Sequence, residues 1–344
     1  MTTAPQSLLV TGGAGYIGGA LVPRLLAEGH RVTVLDAMYF GDLALAPVRS
    51  SLHLHLVRGD IRDHAGVAAL LERGRFDTVI HLAAIANDPC AELDAELTKA
   101  VNLDAVVALM TAAKRAGVRR FLYASSASVY GVKEDPDVHE GLPLEPITLY
   151  ARYKAEGEAF LRTLVDDSFC GTSVRAATVC GWAPRLRLDL TVNLLTHQAL
   201  TKGEIKVFGG TQRRPNIHVD DLAEVYRAMV SMDAARINGE AFNVSAENAT
   251  VMSLAECIRE VIGPALPIIT VPTEDNRSYQ LSARKLALRL GLKPQRTVVD
   301  AVRGLRDAYA AGRVPDADAS GYRNVAHMRA MAEAWRTPQP MGAS

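Results

Sequence analysis

The segment LLVTGGAGYIGGALV, residues 8–22, constrains the fold more than any other stretch of the chain. Five glycines, Gly12, Gly13, Gly15, Gly18 and Gly19, fall within eight positions between two apolar runs. Glycine is costly inside regular structure, so such a cluster marks a tight turn or a close backbone approach. SLLV before it reads as a short buried strand. Behind it, Ile17, Leu21 and Leu25 recur at helical spacing. The order is strand, glycine turn, helix.

Strand-like and helix-like runs go on alternating to about Ala177. The strand candidates are SLLVT, RVTVLD, LHLHLV, TVIHLAA, RFLYAS and TSVRAAT, with helical segments such as 63–73 and 98–116 between most of them. Alternation of this kind predicts an α/β fold with a parallel sheet covered on both faces. Right-handed crossovers then leave few topologies. After Thr178 the pattern loosens, and Pro184, Gly203, Pro215, Pro267 and Pro272 punctuate shorter elements. The expected division is residues 1–177 for the layered domain, with room in its sheet for strands from the C-terminal part. Residues 178–315 are expected to form a smaller mixed lobe for substrate, and 316–344 a tail ending in TPQPMGAS, expected to be disordered.

Composition bounds the partners. Lys and Arg number 38 and Asp and Glu 38, so the formal net charge is zero and neither nucleic acid nor an anionic membrane is expected as the main partner. No run approaches the ~18 apolar residues of a transmembrane helix, and MTTAPQSLLV lacks the basic and apolar regions of a secretory signal. A cytoplasmic protein is expected. Cys90, Cys170, Cys180 and Cys257 form no CxxC pair and read as free thiols, with no metal role.

GAGYIG, residues 13–18, matches G-x-G-x-x-G after a strand and at the start of a helix, and Gly12 extends it to T-G-x-x-G-x-x-G. Backbone N–H groups at a helix N-terminus face a pyrophosphate there, and a Cβ would block its approach. Gly12, Gly15, Tyr16, Ile17 and Gly18 are therefore candidate cofactor contacts. Asp36 ends RVTVLD, 18 residues after Gly18. An acid there accepts hydrogen bonds from ribose hydroxyls and repels a 2′-phosphate, which favours NAD over NADP. GDIRD puts Asp60 and Ile61 where an adenine edge would lie, although Asp60 alone reads equally well as a helix N-cap.

LYARYKAEGEAF begins a helix near Thr148, where Tyr150 and Lys154, four apart, share a face. A phenol of reference pKa ~10 is a poor base at neutral pH. An adjacent ammonium favours the phenolate. Such a pair can take a proton from a hydroxyl while hydride leaves the same carbon for a nicotinamide. Upstream, FLYASSASVYG ends a strand in a polar cluster, from which Ser126 can bond the same oxygen; a plain turn is the alternative.

Taken in order, TGGAGYIG, GDIRD, HLAA, SSASVYG, YARYK and RRPNIHVDD resemble the extended short-chain dehydrogenase/reductase family, and within it the nucleotide-sugar epimerases and dehydratases. The resemblance implies a Rossmann domain with tightly held NAD, a C-terminal lobe gripping a nucleoside-diphosphate sugar, and a homodimer. It implies Ser126, Tyr150 and Lys154 as the catalytic triad, Lys154 also holding the nicotinamide ribose. HLAA, with Leu82, Ala83 and Ala84, would line the cofactor, and Asn102 would touch it. Thr178, Asn193, Arg214 and Arg277 would contact the substrate, a planar guanidinium being well suited to phosphate.

Family members that dehydrate usually carry an acidic pair just after the catalytic Ser or Thr, and members that decarboxylate a Glu two positions before the Tyr of VYG. Here those positions hold Ala127 and Ser128. SSASVYG is closest to the 4-epimerase pattern, which implies a 4-keto intermediate and hydride return to its other face. Thr178 departs from the Asn of similar epimerases, and Arg185 and Arg187 enrich the next loop, as holders of an extra anionic group or as surface residues. A ketoreductase, an epimerase at another carbon and a non-catalytic NAD-binding regulator stay open.

Overall fold

The structure, a computed structural model, describes residues 4–273 and 278–343. Its centre is the apolar strand β1 (Ser7–Thr11), buried at every position. β2 (Arg31–Asp36), β3 (Leu54–Arg58), β4 (Thr78–His81), β5 (Arg120–Ser126) and β6 (Cys170–Ala176) join it in the parallel order β3-β2-β1-β4-β5-β6. This is the doubly wound Rossmann order. Residues 8, 9 and 10 show why both faces are covered. Leu8 and Val10 belong to one apolar core and Leu9 to the other, as the two-residue period of a strand requires. On the first face α1 (Tyr16–Ala27) packs against the helix Val219–Val230; on the second, α2 (His64–Gly74) packs against Ala105–Arg115, which meets Leu149–Leu164. Strand order reverses between β1 and β4, and that leaves a crevice at the carboxyl ends of the strands.

The smaller lobe holds β7 (Thr178–Cys180), β9 (Arg213–His218) and β11 (Glu247–Thr250) in one sheet, and β8 (Ile205–Phe208) with β12 (Ile268–Val271) in another. Leu195, Ile205, Leu254, Ile258 and Val302 form its core. β10 (Glu240–Val244) returns to the large sheet, parallel to β6, as a strand for which the sequence left room.

Two expectations are corrected. The run 98–116 is not one helix: Ala95–Lys99 and Ala105–Arg115 are joined through a π-helical turn, Ala100–Asp104. Inside that turn Asn102 faces inward and bonds the backbone of Ile85. Nor is TPQPMGAS structureless. β13 (Gly342–Ala343) pairs antiparallel with β3, the Asp60 N–H donates to the Gln339 carbonyl (3.1 Å) and the Met341 N–H to Asp63 (3.2 Å). The exposed edge of β3 supplies those partners, and a local sequence pattern cannot register them.

Candidate active site

The crevice is a cavity of about 480 Å³ at the carboxyl ends of the parallel strands. The glycine turn forms its floor. Gly12 has φ +70°, and a Cβ on it would lie 2.5 Å from the Ala83 nitrogen, so this glycine lets the loop after β4 close on the turn. A Cβ on Gly18 would lie 2.2 Å from the Gly13 oxygen. Gly15 is the N-cap of α1 and no side chain caps the helix, so its amino end is open toward the cavity. Asp36 is fixed at the end of β2 by the N–H groups of Ala14 (3.0 Å) and Met38 (2.8 Å). Burial raises its carboxyl above the usual range against those bonds. An uncapped helix amino end, turn glycines with no space for a Cβ and an acid on the next strand fit a dinucleotide such as NAD. Ile61, Leu82 and Ala84 lie on the same wall.

The structure brings Ser126, Tyr150 and Lys154 into the cavity together. Thr148 caps the amino end of Leu149–Leu164, its hydroxyl accepting from the Ala151 N–H, and the helix turns Tyr150 and Lys154 inward. Ser126 lies at the end of β5, accepts from the Ser128 N–H and hydroxyl, and acts to lower the Tyr150 phenol. Lys154 donates to the Ala124 carbonyl (2.7 Å) and lies 5.7 Å from the centre of the Tyr150 ring. Burial dominates both groups. It pushes the phenol up to about 12, with the Asp88 carboxylate adding to the rise, and the ammonium down to about 7. The Arg187 guanidinium and Ser126 act against the rise of the phenol.

Other candidates take different positions. Asp60 lines the cavity, but both its oxygens are held by Arg62 and one by the Tyr39 hydroxyl; the N-cap of α2 is Asp63. Asn102 is fully buried off the cavity wall, its amide closed on the Ile85 N–H and carbonyl at 2.8 and 2.9 Å. Asn193 is also buried off the wall, accepting from the Gly181 N–H and donating to the Arg187 carbonyl (both 2.9 Å). It meets Tyr16, whose hydroxyl donates to the Gly181 carbonyl at 2.5 Å. His81 likewise sits behind the wall, bonded to Thr11 and held near 3 by burial. Thr178 and Arg214 do line the cavity. Arg277 lies outside the described residues.

Several site residues had no motif to mark them. Glu158 extends the 150–154 spacing by one further turn. Beneath the site it pairs with Arg175 (2.6 Å) and accepts from Ser125; Arg175 in turn donates to Tyr130 (2.7 Å). Asp88 lines the cavity and accepts from Thr148 (2.6 Å). Arg185 and Arg187 are wall residues and not surface residues. Asp189 neutralises Arg187 at 2.8 Å. Asn324 and Trp335 reach the wall from the C-terminal segment.

Residues 8–245 match the model of the NAD dependent epimerase/dehydratase family. The chain is 32% identical over 304 residues to a UDP-glucose 4-epimerase of Mycolicibacterium smegmatis, covering 86% of this chain and 95% of the relative. It is 30% identical over 324 residues to a dTDP-glucose 4,6-dehydratase of an Actinoplanes species, covering 90% and 99%. Its fold is similar to that of the Thermus thermophilus UDP-glucose 4-epimerase solved with NAD, at TM-score 0.77 and 27% identity over 88% of this chain and 99% of the other.

Proposed function

This chain belongs to the NAD-dependent epimerase/dehydratase family, and from that premise we propose that it is a nucleoside-diphosphate-sugar epimerase that inverts C4 through a transient 4-keto sugar. The observation that carries the reading is the convergence of Ser126, Tyr150 and Lys154 in the cavity that Asp36 and the glycine turn also line. NAD is the family's cofactor, and bound there it supplies reversible hydride acceptance. The chain's own residues handle the proton. Tyr150 Oη exchanges it with the sugar hydroxyl, and Ser126, on the same cavity and acting on that phenol, steadies the same oxygen. Charged Lys154 favours the phenolate. Ala127 and Ser128 offer no carboxylate at the positions where dehydrating relatives keep theirs. Asp36 favours NAD over NADP by repelling a 2′-phosphate.

One observation favours a second reading. Asp88 places a carboxylate in the same cavity, close enough to raise the Tyr150 phenol, and would serve as the acid for water loss. Incubation with UDP-, dTDP-, GDP- and CDP-hexoses without added reductant, followed by NMR and mass spectrometry, separates the possibilities. A C4 epimer of unchanged mass is the expected product. A product lighter by one water makes the enzyme a dehydratase, and absolute dependence on added NADH makes it a ketoreductase. Tyr150→Phe is expected to lose about 10²–10⁴ in turnover and to keep NAD binding. NAD binding without turnover of any sugar by the wild type leaves a regulator.

A further inference from the structure

Arg185 is a buried cation that forms no ion pair among the described residues. It is 7% exposed and lines the cavity. Its guanidinium carbon lies 3.8 Å from the centre of the Phe40 ring, and one terminal nitrogen donates to Asn324 Oδ1 at 2.5 Å. Nε has no partner. The neighbouring arginines are neutralised: Arg62 by Asp60 and Arg187 by Asp189. Among the described residues no carboxylate stands within ion-pair distance of Arg185. A buried charge left so is strongly unfavourable unless something supplies the opposite sign.

Its surroundings say which anion. Phe40 follows the strand that ends in Asp36, and the carboxylates of Asp189 and, less strongly, Asp36 act on Arg185 without forming an ion pair with it. The Asp36 carboxylate is itself occupied by the Ala14 and Met38 N–H groups. Arg185 thus shares a cavity wall with the ribose-reading acid, and the open amino end of α1 is on that same cavity. Phe40 is braced by Trp335 and His327, and Asn324 lies on the same C-terminal segment.

We propose that Arg185 binds the diphosphate of the dinucleotide, gripping it from across the cavity while the glycine turn holds it from below, with Asn324 as the positioning residue. The proposal rests on the NAD reading of the site. The planar fork of a guanidinium suits two oxygens of a diphosphate, and ring stacking presets its plane. The two arginines of the loop then divide their labour: Arg187 with Asp189 is structural, and Arg185 is the ligand contact.

The test is calorimetric titration of cofactor-stripped protein, wild type against Arg185→Met, Arg185→Lys and Asn324→Ala. The probes are NAD, ADP-ribose, adenosine, NADP and UDP. Arg185→Met is expected to weaken NAD and ADP-ribose alike, by about tenfold to a hundredfold, as loss of a charged hydrogen-bond pair does. Adenosine, which lacks the diphosphate, and UDP should be unaffected. Arg185→Lys and Asn324→Ala should fall between, and they carry the test if Arg185→Met does not fold. Trp335, on the cavity wall and stacked on Tyr39 at 4.4 Å, provides an independent fluorescence signal of binding. Unchanged NAD affinity in the variants overturns the proposal. Selective loss of UDP assigns Arg185 to the substrate's diphosphate, and selective loss of NADP assigns it to a 2′-phosphate; either also overturns it. A wild type that does not bind NAD defeats the family reading itself, a different result from equal binding by wild type and variant.

Discussion

Lys154 shows what burial does to one residue. Its ammonium is held at about 7 in the fold, mainly by desolvation, against ~10.4 in an unfolded chain. Between those values the unfolded chain binds one proton more than the folded one. Stability from this group therefore rises with pH from about 7 to about 10, at up to about 1.4 kcal/mol per pH unit, and below 7 its cost is fully present. Lys154→Met in cofactor-free protein is expected to remove that rise. Urea unfolding at pH 7 and pH 9 measures it, and an identical pH difference in wild type and variant would show that Lys154 is not desolvated. The sequence placed Tyr150 and Lys154 on one face, since i, i+4 spacing is local. It could not show that the ammonium bonds the Ala124 carbonyl, on a strand thirty residues away in sequence.

At the scale of the element, the turn between β1 and α1 depends on backbone approach. The Cβ of Gly18→Ala would meet Gly13 backbone oxygen and carbon at 2.2 and 2.5 Å, and no side-chain rotation relieves a clash with backbone. Overpacking of this kind costs about 1–3 kcal/mol. Gly18→Ala is expected to lower the urea midpoint of the ligand-free protein and to weaken NAD at least tenfold, because α1 is displaced from the turn. Wild-type affinity in that variant would mean that the turn yields and does not set the site. The helix Leu149–Leu164 illustrates the same dependence on neighbours. Its inward face carries Tyr150, Lys154 and Glu158 in successive turns, and Glu158 is tolerable only because β6 presents Arg175 opposite it.

For the whole molecule, the C-terminal segment closes the cofactor side of the cavity and the edge of the sheet together. Arg62 donates to the Trp335 carbonyl (2.8 Å), His327 bonds the Tyr39 carbonyl (2.7 Å), and Arg336 pairs with Asp94 (2.9 Å). Deleting residues 337–344 removes β13 and the Gln339 and Met341 contacts, leaving β3 as an open edge. The truncated protein is expected to melt several degrees lower, at about 2–4 °C per kcal/mol lost, and to self-associate on heating. Calorimetry and light scattering follow the two effects. An unchanged melting temperature would make the segment a passive passenger.

The sequence by itself determined the order of strands and helices, the glycine turn, Asp36 and the spacing of Tyr150 and Lys154. Each of these is written within one element or one turn, where periodicity and glycine sterics act. Only the tertiary structure decided which polar side chains face the cavity. Asn102 and Asn193 spend their amides on the backbone of other segments, and Asp60 spends its carboxylate on Arg62. Arg185, which the sequence left between ligand contact and surface, is buried and forms no ion pair among the described residues. Which partner a polar group meets depends on chain segments tens to hundreds of residues away, and neither local spacing nor hydropathy carries that information. The tail is the clearest case: a short run broken by two prolines and a glycine has no strand pattern of its own, and it becomes a strand because β3 presents an unpaired edge.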